Sequence, residues 1–488
     1  MTDLQHLQPK LVWQWFERIC QIPHPSYHEQ ALAQYIVDWA KEKQLWVERD
    51  QVGNILIRKP ATAGMEDCQT VALQAHLDMV PQANSTTEHN FTTDPIQPYV
   101  DGEWVKAKGT TLGADNGIGL ASCLAVLDSQ DLAHPRLEVL LTMTEETGMI
   151  GASGLQPNWL ESEVMINTDT EQEGEIYIGC AGGEDADLSY PIEWQDCTDT
   201  TEQQAFQLAL TGLKGGHSGA EIHLGRGNAI KLLVSILTAL QGKVRFKLAE
   251  IKGGTIRNAI PREAFATLVI ATSDQAKFTQ ALNQLNSDLM TEWQLAEPNL
   301  SLTIIQTALP QRTFSEQSSQ TTLAFLNSLP NGVIRYSDQL PDVVETSLSC
   351  GVLTTTTTAV EVVILVRSLH TIGLDRVATI LGSISQLAGA KLTLSNRYAG
   401  WNPNANAPIV KLTQQLYQQI LGRDCAVKVI HAGLECGLIN QAYPTMEMVS
   451  IGPTILGAHS PDERCHIPAV ATYWQLLTRL LATIPSKK

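Results

Sequence analysis

Between residues 54 and 169 the chain repeats one pattern: a short apolar run closes on polar, mostly acidic residues. NILIRK, TVALQAHLDMV, LEVLLTMT and EVMINTD are such runs, and the helix-like stretch IGLASCLAVLDS lies among them. Near-continuous apolar strands alternating with helices predict a mostly parallel sheet covered on both faces, in which ligands bind at the carboxyl ends of the strands. The residues closing these strands are therefore the ones to inspect. Residues 11–48 precede them with a helical apolar period through LVWQWFERI and ALAQYIVDWAKEKQL.

From about residue 182 the order becomes strand QQAFQLALTGL, helix GNAIKLLVSILTAL, strands VRFKLAEIK and AFATLVIAT, helix AKFTQALNQLNSDLM and strand NLSLTIIQT, a β-α-β-β-α-β unit. A second, less regular stretch from TLAFLNSL to KLTLSNRY suggests a related half. After Arg397 helix and strand alternate again. At roughly 150 residues per domain, 488 residues exceed a single core. The expected fold is α/β: a mostly parallel catalytic domain over 1–181 and 397–488, with an α+β domain of two β-α-β-β-α-β-like halves inserted over 182–396.

Composition narrows the partners. Asp plus Glu number 51 against 33 Lys plus Arg, a formal charge of −18, the wrong sign for displacing counterions from nucleic acid. No apolar run approaches the roughly 18–20 residues that span a bilayer, so no membrane partner is expected. The N-terminus lacks a basic start with an apolar core and does not read as a signal peptide. Nine scattered cysteines, never spaced CxxC, argue against a disulfide framework and fit a reducing cytoplasm.

Carboxylates in excess can instead gather around divalent cations. His76 and Asp78 at i and i+2 face one side of their strand, suiting a ligand and the carboxylate that orients it; a capped strand with incidental polar residues would look the same. Asp115 precedes an apolar helix, where an N-cap explains it equally well. Glu145 and Glu146 are adjacent carboxylates at the end of an apolar strand and repel unless a cation or proton compensates. Asp169 closes another strand, and His459 arrives late in GAHSPDE. Together, His76, Asp115, Glu146, Asp169 and His459, with Glu145 and Asp78 to spare, have the composition of a two-metal site.

The motifs HLDMV (76–80), KGTTLGADNGIG (108–119), TMTEETGMIGA (142–152), INTDTE (166–171), GLKGGHSG (212–219), GGTIRNAIP (253–261) and GAHSPDE (457–463) closely resemble those of the M20 metallopeptidases, in the aminoacyl-histidine dipeptidase branch. The resemblance spans essentially the whole chain. It implies a dipeptidase that cleaves unblocked dipeptides, Xaa-His such as β-alanyl-histidine included, by a metal-bridged hydroxide with Glu145 as general base. It further implies two Zn²⁺ per active site, with Co²⁺ or Mn²⁺ as substitutes: His76 and Asp169 on one, Glu146 and His459 on the other, Asp115 bridging. Asp78 would orient His76, and a cis peptide would follow Asp115. His217 would polarise the scissile carbonyl, and Asn258 and Arg367 would bind substrate.

Arg367, at the end of an apolar strand, suits a substrate carboxylate or an acidic neighbour. HAGLECG (431–437) offers a Gly-rich backbone for capturing a carboxylate, with Gly433 and Glu435 as candidates, or forms a plain turn. The large insert either supplies a self-contained lid or makes a homodimer. Another M20 amidohydrolase, an N-acyl-amino-acid deacylase or a tripeptidase, would keep every metal residue. A non-catalytic zinc-binding interaction protein would be expected to have lost Glu145 or a ligand, and none is missing.

Overall fold

The computed structural model describes residues 3–84, 86–197, 202–338 and 340–487. The chain divides into two compact units. The first comprises the chain up to Cys180, Trp401–Val429 and the residues from Leu434 onward; the second comprises Ala181–Gly400 and Ile430–Gly433. The short return segment groups with the second unit, where the Ile430 carbonyl accepts the Ala181 N–H at 3.0 Å.

An eight-stranded sheet organises the first unit. Its four central strands, Leu137–Thr142, Val71–His76, Val164–Asn167 and Glu447–Ser450, run parallel, with antiparallel strands such as Ile55–Lys59 toward the edges. Every residue of the first three is buried, which is why they read as apolar runs with no alternation. The helix Ala114–Asp128 is apolar nearly all round and correspondingly buried. It packs on Lys10–Cys20 so tightly that a Cβ on Gly117 would stand 2.9 Å from the Phe16 ring. Register pairs His76 with Thr142 and Gln74 with Asn167. The strands therefore end together, and the polar residues that follow them emerge along one edge.

The second unit is built on a nine-stranded sheet. One half follows the expected unit through Gln203–Thr211, Ala229–Gln241, Lys247–Gly253, Ala264–Ala271, Gln275–Trp293 and Ser301–Thr307. The other half differs from the sequence reading. Its first strand is Gly182–Pro191, which lies between Ala359–Ser368 and Lys391–Tyr398, so the first half is inserted between that strand and the helix Glu316–Ser328. The halves join where Gly253 pairs with Leu353. GGEDADLSYP carries three acids and two glycines and shows no strand signature. Its charges are matched only by residues distant in sequence: Asp185 pairs with Arg257 and accepts the Asn396 amide at 2.8 Å.

Among the described residues, no helix is long and apolar enough to cross a membrane.

Candidate metal centre

His76 closes the strand Val71–His76 with its ring fully buried. Its Nδ1–H donates to the Asp78 carbonyl at 3.0 Å and lies 3.3 Å from the Asp78 carboxylate. A carbonyl can only accept, so the proton on Nδ1 is fixed and the lone pair of Nε2 is left free to ligate. Nε2 is 3.2 Å from Asp115 Oδ1 and 3.5 Å from Asp169 Oδ1. On the other side, His459 Nε2 is 3.1 Å from Asp115 Oδ2 and 2.9 Å from Glu146 Oε2. Asp115 thus stands between two imidazole-carboxylate pairs and offers one oxygen to each.

The backbone here departs from regular geometry. Gly113 is left-handed at φ 70°, Asp115 and Asn116 are non-helical although they lie within the first turn of their helix, and the Asp115–Asn116 peptide is cis, as the resemblance implied. Asn116 is held by donating its amide to the Thr168 carbonyl at 2.9 Å. Thr144 and His459 adopt φ 52° and 63°, a conformation that costs a residue with a Cβ and persists where surrounding bonds enforce it. Thr144 is so held, its hydroxyl donating to buried Glu29 at 2.6 Å. Asp78 secures the next two residues by accepting the N–H groups of Glu145 at 2.8 Å and Glu146 at 3.1 Å.

Electrostatically the cluster calls for cations. Burial pushes Glu146 up to about 7, with Asp115 adding to the rise, and burial likewise raises Asp169 and Glu145. His459 is pushed up to about 11 by hydrogen bonds to Asp115 and Glu146. Burial would depress His76, yet Asp169, Asp115 and Asp78 reverse that and raise it. Buried Asp169 Oδ1 and Glu146 Oε1 accept no hydrogen bond among the described residues, and ligand atoms of His76, Asp115 and Glu146 lie within 4.8 Å of one another. Imidazoles and carboxylates so arranged fit hard-to-borderline divalent metals.

Sequence reasoning passed over three contributors. Glu171, two residues beyond Asp169, is pushed up to about 9 by burial and by Asp115 and Asp169; the repeated i, i+2 acid spacing was its signal. Ser26 donates to Asp78 at 2.7 Å, and Glu29 holds Thr144. Both lie in PHPSYHE, a proline-flanked polar turn between two helices whose partners are far away in sequence.

Glu435 is 1% exposed, and its Oε2 accepts from Gln74 Nε2 at 2.7 Å and Thr142 Oγ1 at 2.5 Å, which ties two central strands; its Oε1 accepts no hydrogen bond among the described residues. Gly433, read beside it in sequence, falls in the second unit.

The other sequence candidates also lie in the second unit. His217 Nδ1 accepts the N–H groups of Gly219 at 3.2 Å and Ala220 at 2.9 Å, which puts its proton on Nε2. Burial and the Arg367 charge push this imidazole down to about 4, so it is neutral near pH 7. Arg367 is 4% exposed; its Nη1 donates to the Tyr398 hydroxyl at 3.1 Å, and its Nη2 comes within 3.5 Å of His217 Nε2. Two donors thus face one another. Neighbouring His431 is pushed down to about 3 by burial and Arg367. The Asn258 side chain is exposed, while its carbonyl accepts the Ser218 N–H at 2.9 Å.

Residues 72–483 match Peptidase family M20/M25/M40, so the chain belongs to the M20 peptidase family and is a hydrolase acting on peptide bonds. It is 54% identical over 487 residues to the cytosol non-specific dipeptidase of Escherichia coli (strain K12), with 100% of each chain covered. The crystal structure of aminoacylhistidine dipeptidase from Vibrio alginolyticus matches it with a TM-score of 0.91 at 49% identity, covering 100% of this chain and 99% of that one. Aminopeptidase PepT from Bacillus cereus ATCC 10987 shares the fold at a TM-score of 0.56 and 14% identity, over 98% of this chain and 99% of that one.

Proposed function

We propose that this peptidase is a dinuclear zinc dipeptidase of the cytoplasm that hydrolyses unblocked dipeptides, Xaa-His such as β-alanyl-histidine among them. The observation that carries the reading is Asp115, with one oxygen 3.2 Å from the His76 imidazole and the other 3.1 Å from that of His459. In this reading His76 and Asp169 hold one metal, Glu146 and His459 the other, and Asp115 both; Co²⁺ or Mn²⁺ can replace zinc. The names of the relatives at 54% and 49% identity support the substrate class.

Bound there, the metals would supply Lewis-acid chemistry, lowering the pKa of water and polarising a carbonyl. Glu145 takes the proton of the attacking water and returns it to the leaving amine. Asp78 holds the Glu145 backbone while fixing His76. His217 donates its Nε2–H to the developing oxyanion, a role for which a neutral ring with an occupied Nδ1 is suited. Arg367 binds the substrate carboxylate through its guanidinium, and Asn258 and Gly433 contribute polar groups to the same end. A homodimer through the second unit is the assembly we propose, supported by its edge strand Lys391–Tyr398 and by exposed Ile372, Ile380 and Leu387 on one face of the helix Thr371–Ala388.

A substrate panel with and without chelator tests this. Dipeptides, with β-alanyl-histidine among them, should be cleaved, N-acetyl amino acids and tripeptides left largely intact, and chelation should abolish turnover. Preferential cleavage of N-acetyl amino acids or of tripeptides would overturn the dipeptidase reading.

A further inference from the structure

We propose that Glu463 is a positioning residue that fixes Asp115 between the two imidazoles, an inference that rests on the dinuclear reading. Its carboxylate, 2% exposed, accepts four consecutive backbone N–H groups: Oε2 those of Leu112 at 2.7 Å and Gly113 at 2.9 Å, Oε1 those of Ala114 at 2.8 Å and Asp115 at 3.2 Å. These lead into the helix Ala114–Asp128, whose own N-cap residue, Gly113, supplies no side-chain cap. Helix starts leave N–H groups without intrahelical partners, and here a side chain almost 350 positions away in sequence satisfies them.

The arrangement does more than cap a helix. Asp115 is held off helical geometry, at φ −81° and ψ 108°, and its carboxylate must point one oxygen toward each imidazole. Glu463 follows His459 by four residues, and the turn between them is closed by the Ser460 hydroxyl donating to Gly457 at 2.7 Å and the Glu463 N–H donating to Ser460 at 3.0 Å. Immediately after it, Arg464–His466 pairs with Trp104–Ala107. A single anchored segment therefore supplies one imidazole and clamps the backbone of the carboxylate that imidazole meets. The distance from His459 to Asp115 is set by Glu463.

Cobalt titration of the metal-free full-length chain, read by its visible absorption, tests the role. Glu463→Gln replaces one acceptor oxygen with an amide that cannot accept N–H groups. It should bind Co²⁺ about 10- to 100-fold more weakly, the usual cost of losing a group that orients a ligand, and with an altered spectrum. Glu463→Asp, which keeps the carboxylate, should fall between this variant and the parent, and it serves if the Gln variant does not fold.

Glu138 is the control. It is equally buried and accepts the N–H groups of Glu161 at 2.7 Å and Ser162 at 2.9 Å, away from the centre. Glu138→Gln should lower the melting temperature and leave cobalt affinity and spectrum unchanged. Parent-like cobalt binding by the Glu463 variants, or equal weakening by Glu138→Gln, overturns the proposal. A parent that takes up no cobalt sinks the dinuclear reading and this inference with it.

Discussion

Asp78 accepts the backbone N–H of Glu145 at 2.8 Å. The same carboxylate accepts from Glu146 and Ser26 and lies 3.3 Å from the His76 ring, so one side chain orients a proposed ligand and the backbone that carries both a proposed carboxylate ligand and the proposed base. Asp78→Ala should weaken metal binding about 10- to 100-fold and lower kcat even at saturating zinc. Metal titration alongside kinetics checks this; a variant that recovers full kcat once saturated would reduce Asp78 to a ligand-orienting role.

Adjacent Glu145 and Glu146 have separable jobs in this account. Glu146 Oε2 reaches His459 at 2.9 Å, and Glu145 is left for proton transfer. Glu145→Ala should therefore retain two metals and lose about 10²- to 10⁴-fold in kcat, the range expected for a positioned acid-base group. Glu146→Ala should lose metal. Metal content measured on both variants decides, and the opposite pattern would exchange the two assignments.

His217→Ala should lower kcat about 10²- to 10³-fold, as expected for removal of one oxyanion donor, with bound metal unchanged. Arg367→Ala should act mainly on KM for substrates with a free carboxylate. Mixing His217→Ala with Glu145→Ala chains separates two architectures: recovered activity means that a site draws His217 from a second copy, and no recovery means a self-contained site.

The metal-free protein should become less stable as pH rises. Burial lifts Glu146 to about 7 and Glu171 to about 9, and hydrogen bonds lift His459 to about 11. Free glutamate and histidine release their protons near about 4.3 and 6.5, so the folded chain holds protons that the unfolded chain has already lost. His217 and His431, pushed down to about 4 and 3, act the other way only below about 6.5, so stability must fall with pH through the window from about 6.5 to 11. Metal takes the place of those protons and should remove the decline. Thermal melts at intervals from roughly pH 7 to 9, with chelator and with zinc, check the sign; a metal-free melting temperature that climbs across this range would contradict it.

Local patterns made part of this architecture legible. Buried parallel strands are apolar throughout, so Val71–His76 and Leu137–Thr142 stand out, and the acids beyond their ends are conspicuous because nothing nearby neutralises them. The structure brings His76, Asp115, Glu146, Asp169 and His459 together from five segments. What could not be read depends on pairings distant in sequence. Gly182–Pro191 is a strand because it pairs with Ala359–Ser368 and Lys391–Tyr398, Glu435 is bonded within the core by Gln74 and Thr142, and Glu463 matters because four N–H groups far upstream converge on it. None of these partners is visible within any short window of residues.

Metal content, measured by mass spectrometry on the purified protein together with β-alanyl-histidine hydrolysis before and after chelation, tests the central claim most directly. The account predicts two equivalents of transition metal per chain, loss of turnover on their removal and recovery on adding Zn²⁺, Co²⁺ or Mn²⁺. Fewer than one equivalent, with no dipeptide cleaved after any of these additions, would contradict it.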